Sequence, residues 1–258
     1  MILAIDVGNT NIVLGAIEDG KRLFSCRLAS DRSKTFDQYA LDIQGILTLH
    51  KVDVSRIEGG ILSSVVPYLQ TVIPQAVKLL TGIDLMVVGP GIKTGLNIRM
   101  DDPGTVGSDL IVGAVAARAK YPAPIAIVDM GTATTVSVIA ENGAYVGGMI
   151  IPGLWVSVNA LSAKAAQLPY IDLAGQTKLL GTNTVDCMRS GAVIGCAAML
   201  DGIIDRLEKE LGKPVSAVLT GGVSPLIVPH CQHKFHLEPD ILIDGLQILY
   251  EKNQGGKG

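Results

Sequence analysis

The feature that most constrains this chain is an internal repeat. A shift of 123 positions carries the opening MILAIDVGNTNIVLGAIEDG onto PIAIVDMGTATTVSVIAENG without a gap, so that Ile5-Asp6-Val7-Gly8 lies over Val128-Asp129-Met130-Gly131 and Val13 over Val136. Both copies read as a strand, a polar turn, a second strand rich in β-branched residues and a glycine corner. A hairpin-like unit used twice in 258 residues predicts two similar domains facing one another, 1–118 and 119–258. Lys120-Tyr-Pro-Ala-Pro124 supplies prolines that end a helix at the join.

Between and after the copies, strands alternate with helices. Apolar spacing predicts helices over Phe36–Leu49, Tyr68–Leu80, Ile111–Ala119, Ser190–Leu211 and Asp244–Asn253. Strands are expected at Gly60–Val66, Leu85–Val88, Val215–Thr220 and Phe235–Leu242. The class is α/β, with ligand-type residues at strand ends and a cleft expected there. The tail Gly255-Gly-Lys-Gly258 is expected to fray.

Composition narrows the function. A formal net charge of −3 gives no electrostatic footprint for nucleic acid or for an anionic membrane. The uncharged stretch Asn142–Ala163 resembles a membrane span only in hydropathy, because its glycines, Pro152 and Asn159 suit a strand, a turn and a helix better. No secretory signal is expected, since Asp6 interrupts the opening apolar run. Cysteines 26, 187, 196 and 231 form no C-x-x-C pair, so reduced thiols and a cytoplasmic location are expected.

The polar turns carry the chemistry. A strand aspartate beside Gly-Asn-Thr-Asn suits a hydrated divalent cation, and the glycine lets backbone amides approach an anionic oxygen. Capping of a hairpin turn by short polar side chains is the alternative. Recurrence at Asp129 favours the phosphate reading, because a carboxylate inside a strand is costly unless a cation or donors satisfy it. Neither Gly20-Lys21 nor Gly212-Lys213 is followed by Ser or Thr, so no P-loop is present, and Gly89-Pro-Gly-Ile-Lys-Thr-Gly95 reads as a plain loop. Gly107-Ser108-Asp109-Leu110 opens a helix, where Ser108 or Asp109 serves either as a cap or, for Asp109, as a general base. His230, Cys231, His233 and His236 have zinc-like spacing only if that stretch is helical. Trp155 is expected to pack or to line an interface.

Taken together, Asp6–Asn11, Gly89–Gly95, Gly107-Ser-Asp109, Asp129-Met-Gly-Thr-Ala-Thr-Thr135, Pro152-Gly-Leu and Gly221-Gly222 resemble the type III pantothenate kinase family over nearly the whole chain. The resemblance implies two ribonuclease-H-like domains of the acetate and sugar kinase, heat-shock chaperone and actin superfamily, with ATP in the cleft, and phosphorylation of pantothenate to 4′-phosphopantothenate. It implies a phosphate loop formed by Asp6, Val7, Gly8, Asn9, Thr10, Asn11, Ile12 and Val13, with Asp6 near Mg2+. It implies a monovalent cation, K+ or NH4+, at Asp129, an ATP contact at Thr132, and an adenosine-side turn at Gly221 and Gly222. Asp109 matches the catalytic aspartate; Gly107, Ser108, Asp109, Leu110 and Thr184 match the substrate side; the family is homodimeric. Ser108 stands where Ala is usual, Leu110 where Arg is common and Met100 where many members have Tyr. Those changes on the acceptor side leave open a same-fold kinase acting on another small hydroxyl compound, or a non-catalytic regulatory relative.

Overall fold

A computed structural model describes residues 1–254; the tail expected to fray lies outside them. Contacts divide the chain into two units that are interleaved in sequence. The first holds Met1–Leu96, Asp101–Ala116 and the stretch from Asp240 onward; the second holds Asn97–Met100 and Ala117–Pro239. A single cut at 118 therefore misassigns the C-terminal helix, whose apolar stripe belongs to the first unit's core.

In the first unit β1 (Ile2–Val7), β2 (Asn11–Glu18) and β3 (Lys21–Ala29) form an antiparallel meander, and β4 (Gly59–Ser64) and β5 (Met86–Val87) add in parallel beyond β1, giving the order β3-β2-β1-β4-β5. Alternation along β1 splits its side chains between two layers. Leu3, Ile5 and Val7 pack against α1 (Phe36–Leu49) and α2 (Pro67–Thr81), through Tyr39, Ile43, Leu47, Leu69 and Ile73. Ala4 and, on β4, Ile61 face Val112 and Val115 of α3 (Ser108–Lys120) and Ile243, Leu246 and Leu249 of α7 (Ile241–Gln254). A capping box starts α1: Gln38 N–H donates to Thr35 Oγ1 at 3.4 Å and Thr35 N–H to Gln38 Oε1 at 2.9 Å. The start of α7 is held by Arg22, which reaches Asp240 at 3.0 Å and Asp244 at 2.8 Å.

The second unit repeats the arrangement. Its meander is β7 (Ile125–Met130), β8 (Ala133–Ile139) and β9 (Ala144–Pro152), with β10 (Ser216–Thr220) and β11 (His236–Leu237) parallel beyond β7 and the two-residue β6 (Asn97–Ile98) on the far edge of β9. Met130, Val136 and Leu219 pack on α5 (Thr184–Leu211), α4 (Leu154–Lys164) and α6 (Ser224–Ile227) through Val193, Leu200, Leu154 and Ile227. Asn142–Ala163 thus forms a strand and a helix. By length and composition α5 is apolar enough to cross a membrane, with a mean hydropathy of 1.4 over its best window, and it supplies one side of this core.

The repeat is exact in its first and third strands and slips in the second. Ile5 pairs with Leu14, whereas its counterpart Val128 pairs with Val136, one position short of the gapless alignment. The turn after β7 is one residue shorter, and a one-residue slip turns every side chain of a strand over. Thr135 rather than Val136 therefore takes the place of Val13. Of the expected strand over Phe235–Leu242 only His236–Leu237 pairs, because Ile241 and Leu242 begin α7.

Gly245 of α7 touches the backbone of α3: a Cβ there would lie 2.2 Å from Val112 O. Gly45 of α1 has open space. Gly245→Ala should lower unfolding free energy by about 1–3 kcal/mol in a urea titration, while Gly45→Ala should be neutral or raise it by up to roughly 1 kcal/mol.

Candidate active site

The first cluster lies at the carboxyl end of β1. Asp6 is only 5% exposed and sits on the sheet face covered by α3, flanked in register by Val13 on β2 and Ser63 on β4. Beyond it the turn Gly8–Asn11 is closed from within, since Gly8 N–H donates to Asn11 O at 3.0 Å. The Gly8 amide, expected to meet an anion, thus serves the turn itself, and a Cβ at Gly8 would stand 3.1 Å from Asn11 O. Ser30 braces the turn: its Oγ donates to Gly8 O at 2.6 Å and its N–H to Thr10 O at 3.0 Å. Asn9 at the tip accepts from Arg32 Nη2 at 3.1 Å. Asn9, Thr10 and Asn11 are exposed, while Val7 and Ile12 are buried under the helices.

Helix α3 brings Asp109 into the same unit. The Asp109 carboxylate accepts from Leu110 N–H at 2.8 Å, and its Oδ1 lies 2.5 Å from where a Cβ on Gly107 would be. Only glycine at 107 leaves room for that rotamer. Burial pushes the Asp109 carboxyl above the usual carboxylate range, and bonds from the Leu110 and Asp109 amides offset part of the rise. Capping and base chemistry are thus not exclusive: one oxygen is held by the helix start while the group as a whole is kept more basic than a solvated aspartate. Ser108, the other candidate cap, turns the opposite way. Its Oγ lies 3.0 Å from Ser63 Oγ and donates to Ser64 O at 3.3 Å.

The second unit holds a matching cluster. Asp129, next to last in β7, stands between Thr135 on β8 and Thr220 on β10, so two hydroxyl-bearing residues flank it. Gly131 N–H donates to Ala133 O at 3.1 Å, closing the turn that presents Thr132. Two glycines press on that turn: a Cβ on Gly153 would meet Thr132 O at 2.2 Å, and one on Gly221, whose φ is +94°, would meet the Met130 backbone at 2.5 Å. Gly153 and Gly221 therefore pack on the turn and on the strand end before it, within their own unit. Thr184 is the exposed first residue of α5, next to Asn183, which caps the helix by accepting from Asp186 N–H at 2.9 Å. Leu110 and Met100 are half-buried, in the first and second unit respectively.

Spacing did not single out Ser63, Thr135 or Thr220. Their signal in the sequence is a hydroxyl at the end of an apolar strand, legible only once the strand beside each aspartate is known. The histidine group disperses: His233 Nε2 pairs with Asp205 Oδ1 at 2.8 Å, His236 lies against the Tyr121 ring and Cys231 Sγ reaches Ile227 O. Among the described residues no three His, Cys, Asp or Glu gather as a metal cluster. All four cysteines are free, and burial raises Cys196 to about 11 and Cys231 to about 12.

Two sheets of closely matching topology, each with an aspartate next to the end of its first strand and beside a polar turn, give the chain a fold that solved sugar kinases share. A ROK hexokinase from Thermus thermophilus shares the fold, with a TM-score of 0.53 at 14% identity over 99% of each chain. The sequence profile described as type III pantothenate kinase matches residues 2–206. Type III pantothenate kinases from an Exiguobacterium species and from Moorella thermoacetica are 43% and 42% identical, each over 98% of this chain and 100% of its relative. The chain belongs to the type III pantothenate kinase family.

A left-handed φ and a backbone clash act together at Gly221. Gly221→Ala should destabilise the protein by at least about 1–2 kcal/mol, read as a lower midpoint in a thermal or urea melt.

Proposed function

We propose that three aspartates, two on matching strands and one at the start of α3, divide the work of the reaction that family membership assigns to this chain. That reaction is the phosphorylation of pantothenate by ATP, a step of coenzyme A biosynthesis, and the chain is accordingly a pantothenate kinase. Asp109 is the base: its carboxylate takes the proton of the primary hydroxyl as the oxygen bonds to the γ-phosphorus and the bond from that phosphorus to the β-phosphate oxygen breaks. The products are 4′-phosphopantothenate and ADP. The observation that carries this assignment is the half-buried carboxylate of Asp109, its pKa raised by desolvation, fixed at a helix start within the unit that holds Asp6.

The remaining residues bind and orient. Asp6 with the Val7–Val13 segment, and Thr132 with Gly221 and Gly222, hold the nucleotide. Gly107, Leu110 and Thr184 serve the acceptor side, and Ser108 does so only through its position next to Asp109, its hydroxyl being engaged with Ser63 and Ser64. Oxygen-only surroundings suit hard cations: Asp6 beside Ser63 would hold Mg2+, and Asp129 beside Thr135 and Thr220 would hold K+ or NH4+. Bound there, these ions supply positive charge that offsets the charge developing on the phosphate oxygens. The enzyme works in the cytoplasm as a homodimer. What supports the dimer is an exposed apolar surface on β9 and α4, where Ile150 is 80% and Leu161 48% exposed, with Trp155 at 42%. Sedimentation at twice the 27.0 kDa chain mass is the expected result.

Coupled ADP release with pantothenate, with and without potassium, tests the assignment. Asp109→Asn cannot accept the proton and should lose at least about a hundredfold in kcat while melting like the parent; near-parental turnover would remove Asp109 from the role. Protonation abolishes the base, so kcat should fall as pH drops through the Asp109 pKa. Because that pKa is raised, the acid limb should lie above the ordinary carboxylate value of about 3.9, and it should vanish in the residual activity of Asp109→Asn.

A further inference from the structure

We infer that the Ser63 and Ser108 hydroxyls form a tether that positions the Asp109 carboxylate relative to β1 and its Asp6. The inference rests on Asp109 being the base and concerns what holds that base in place. All the residues involved belong to the first unit.

Ser63 is completely buried, in a strand whose preceding residues Ile61 and Leu62 are equally buried and apolar. A hydroxyl at such a site needs a partner, and its partner is Ser108 Oγ at 3.0 Å. The direction follows from counting protons. Ser108 carries one hydroxyl proton and donates it to Ser64 O at 3.3 Å, so Ser63 must donate to Ser108. The result is a chain from β4 through the first residue of α3 and back to β4. At its β4 end Ser63 lies directly beside Asp6 in the parallel register, and at its α3 end the next residue is Asp109.

The two bonds tie the start of α3 to β4. The residues leading into it, Asp101–Thr105, are exposed, and the bonds that Asp102 accepts from Gly104 N–H and Thr105 Oγ1 close a turn within that segment. Downstream, Ile111, Val112 and Val115 are buried and anchor the helix body, beginning two residues beyond Asp109. The Ser108 link therefore sets where the first turn sits on the β1–β4 strand pair. An error near 1 Å in placing a reacting group costs on the order of a hundredfold in rate, and loss of one such bond permits part of that error.

Ser63→Ala, Ser108→Ala and the double variant, assayed beside Asp109→Asn with pantothenate and ATP, test the tether. Ser108→Ala breaks both links and should lower kcat about three- to tenfold, with the KM for ATP within about twofold. Its acid limb should shift down toward the ordinary carboxylate range as the loosened carboxylate meets water. Ser63→Ala leaves the Ser64 link and should lose less, and the double variant should be no worse than Ser108→Ala, as members of one link are not additive. Parental kcat and an unmoved acid limb in Ser108→Ala, or losses that multiply in the double variant, would overturn the tether. Those results with an inactive Asp109→Asn leave the base assignment standing; a fully active Asp109→Asn overturns both.

Discussion

A strand paired on both edges and covered on both faces has one place left for polar chemistry, its end. That constraint governs each half of this protein. β1 is hydrogen-bonded to β2 and β4 and buried from Leu3 to Val7, and β7 is held likewise between β8 and β10. Every backbone group inside is satisfied by the ladder and every side chain by a helix layer, so Asp6 and Asp129 appear where the strands run out. The neighbouring strand supplies the hydroxyls beside them, and the turn that follows supplies the exposed polar groups.

The two copies are alike in topology and unlike in chemistry, and the one-residue slip of β8 is the cause. Opposite Asp6 stands Val13; opposite Asp129, because the turn is shorter, stands Thr135. The first carboxylate is bounded by one apolar and one hydroxyl residue, and the second by two hydroxyls. The third aspartate has no counterpart in the repeat. Asp109 comes from the helix laid over β1, and its basicity reflects the burial that this packing imposes.

Much of this was legible in the residues. Helix α1 and the strands of both meanders follow from periodicity and glycine corners, and Asp6, Asp109 and Asp129 stand out as carboxylates in apolar or small-residue settings. The misreadings have physical reasons. Ile241 and Leu242 carry apolar character that suits a strand or a helix equally in a short window, and Asp240 with Arg22 decides for the helix. Ser63 and Thr220 escaped notice because a hydroxyl in a strand carries no chemistry until the neighbouring strand brings a carboxylate alongside.

By itself the sequence determined the class of fold, its duplication and which carboxylates stand out from their apolar surroundings, since these depend on local periodicity and on residue types. Tertiary structure alone decided the register of β8, the return of α7 to the first unit, the direction in which Ser108 turns and the raised basicity of Asp109. Each of those depends on residues far apart in the chain meeting in space, where burial and hydrogen-bond accounting, rather than local preference, select the outcome.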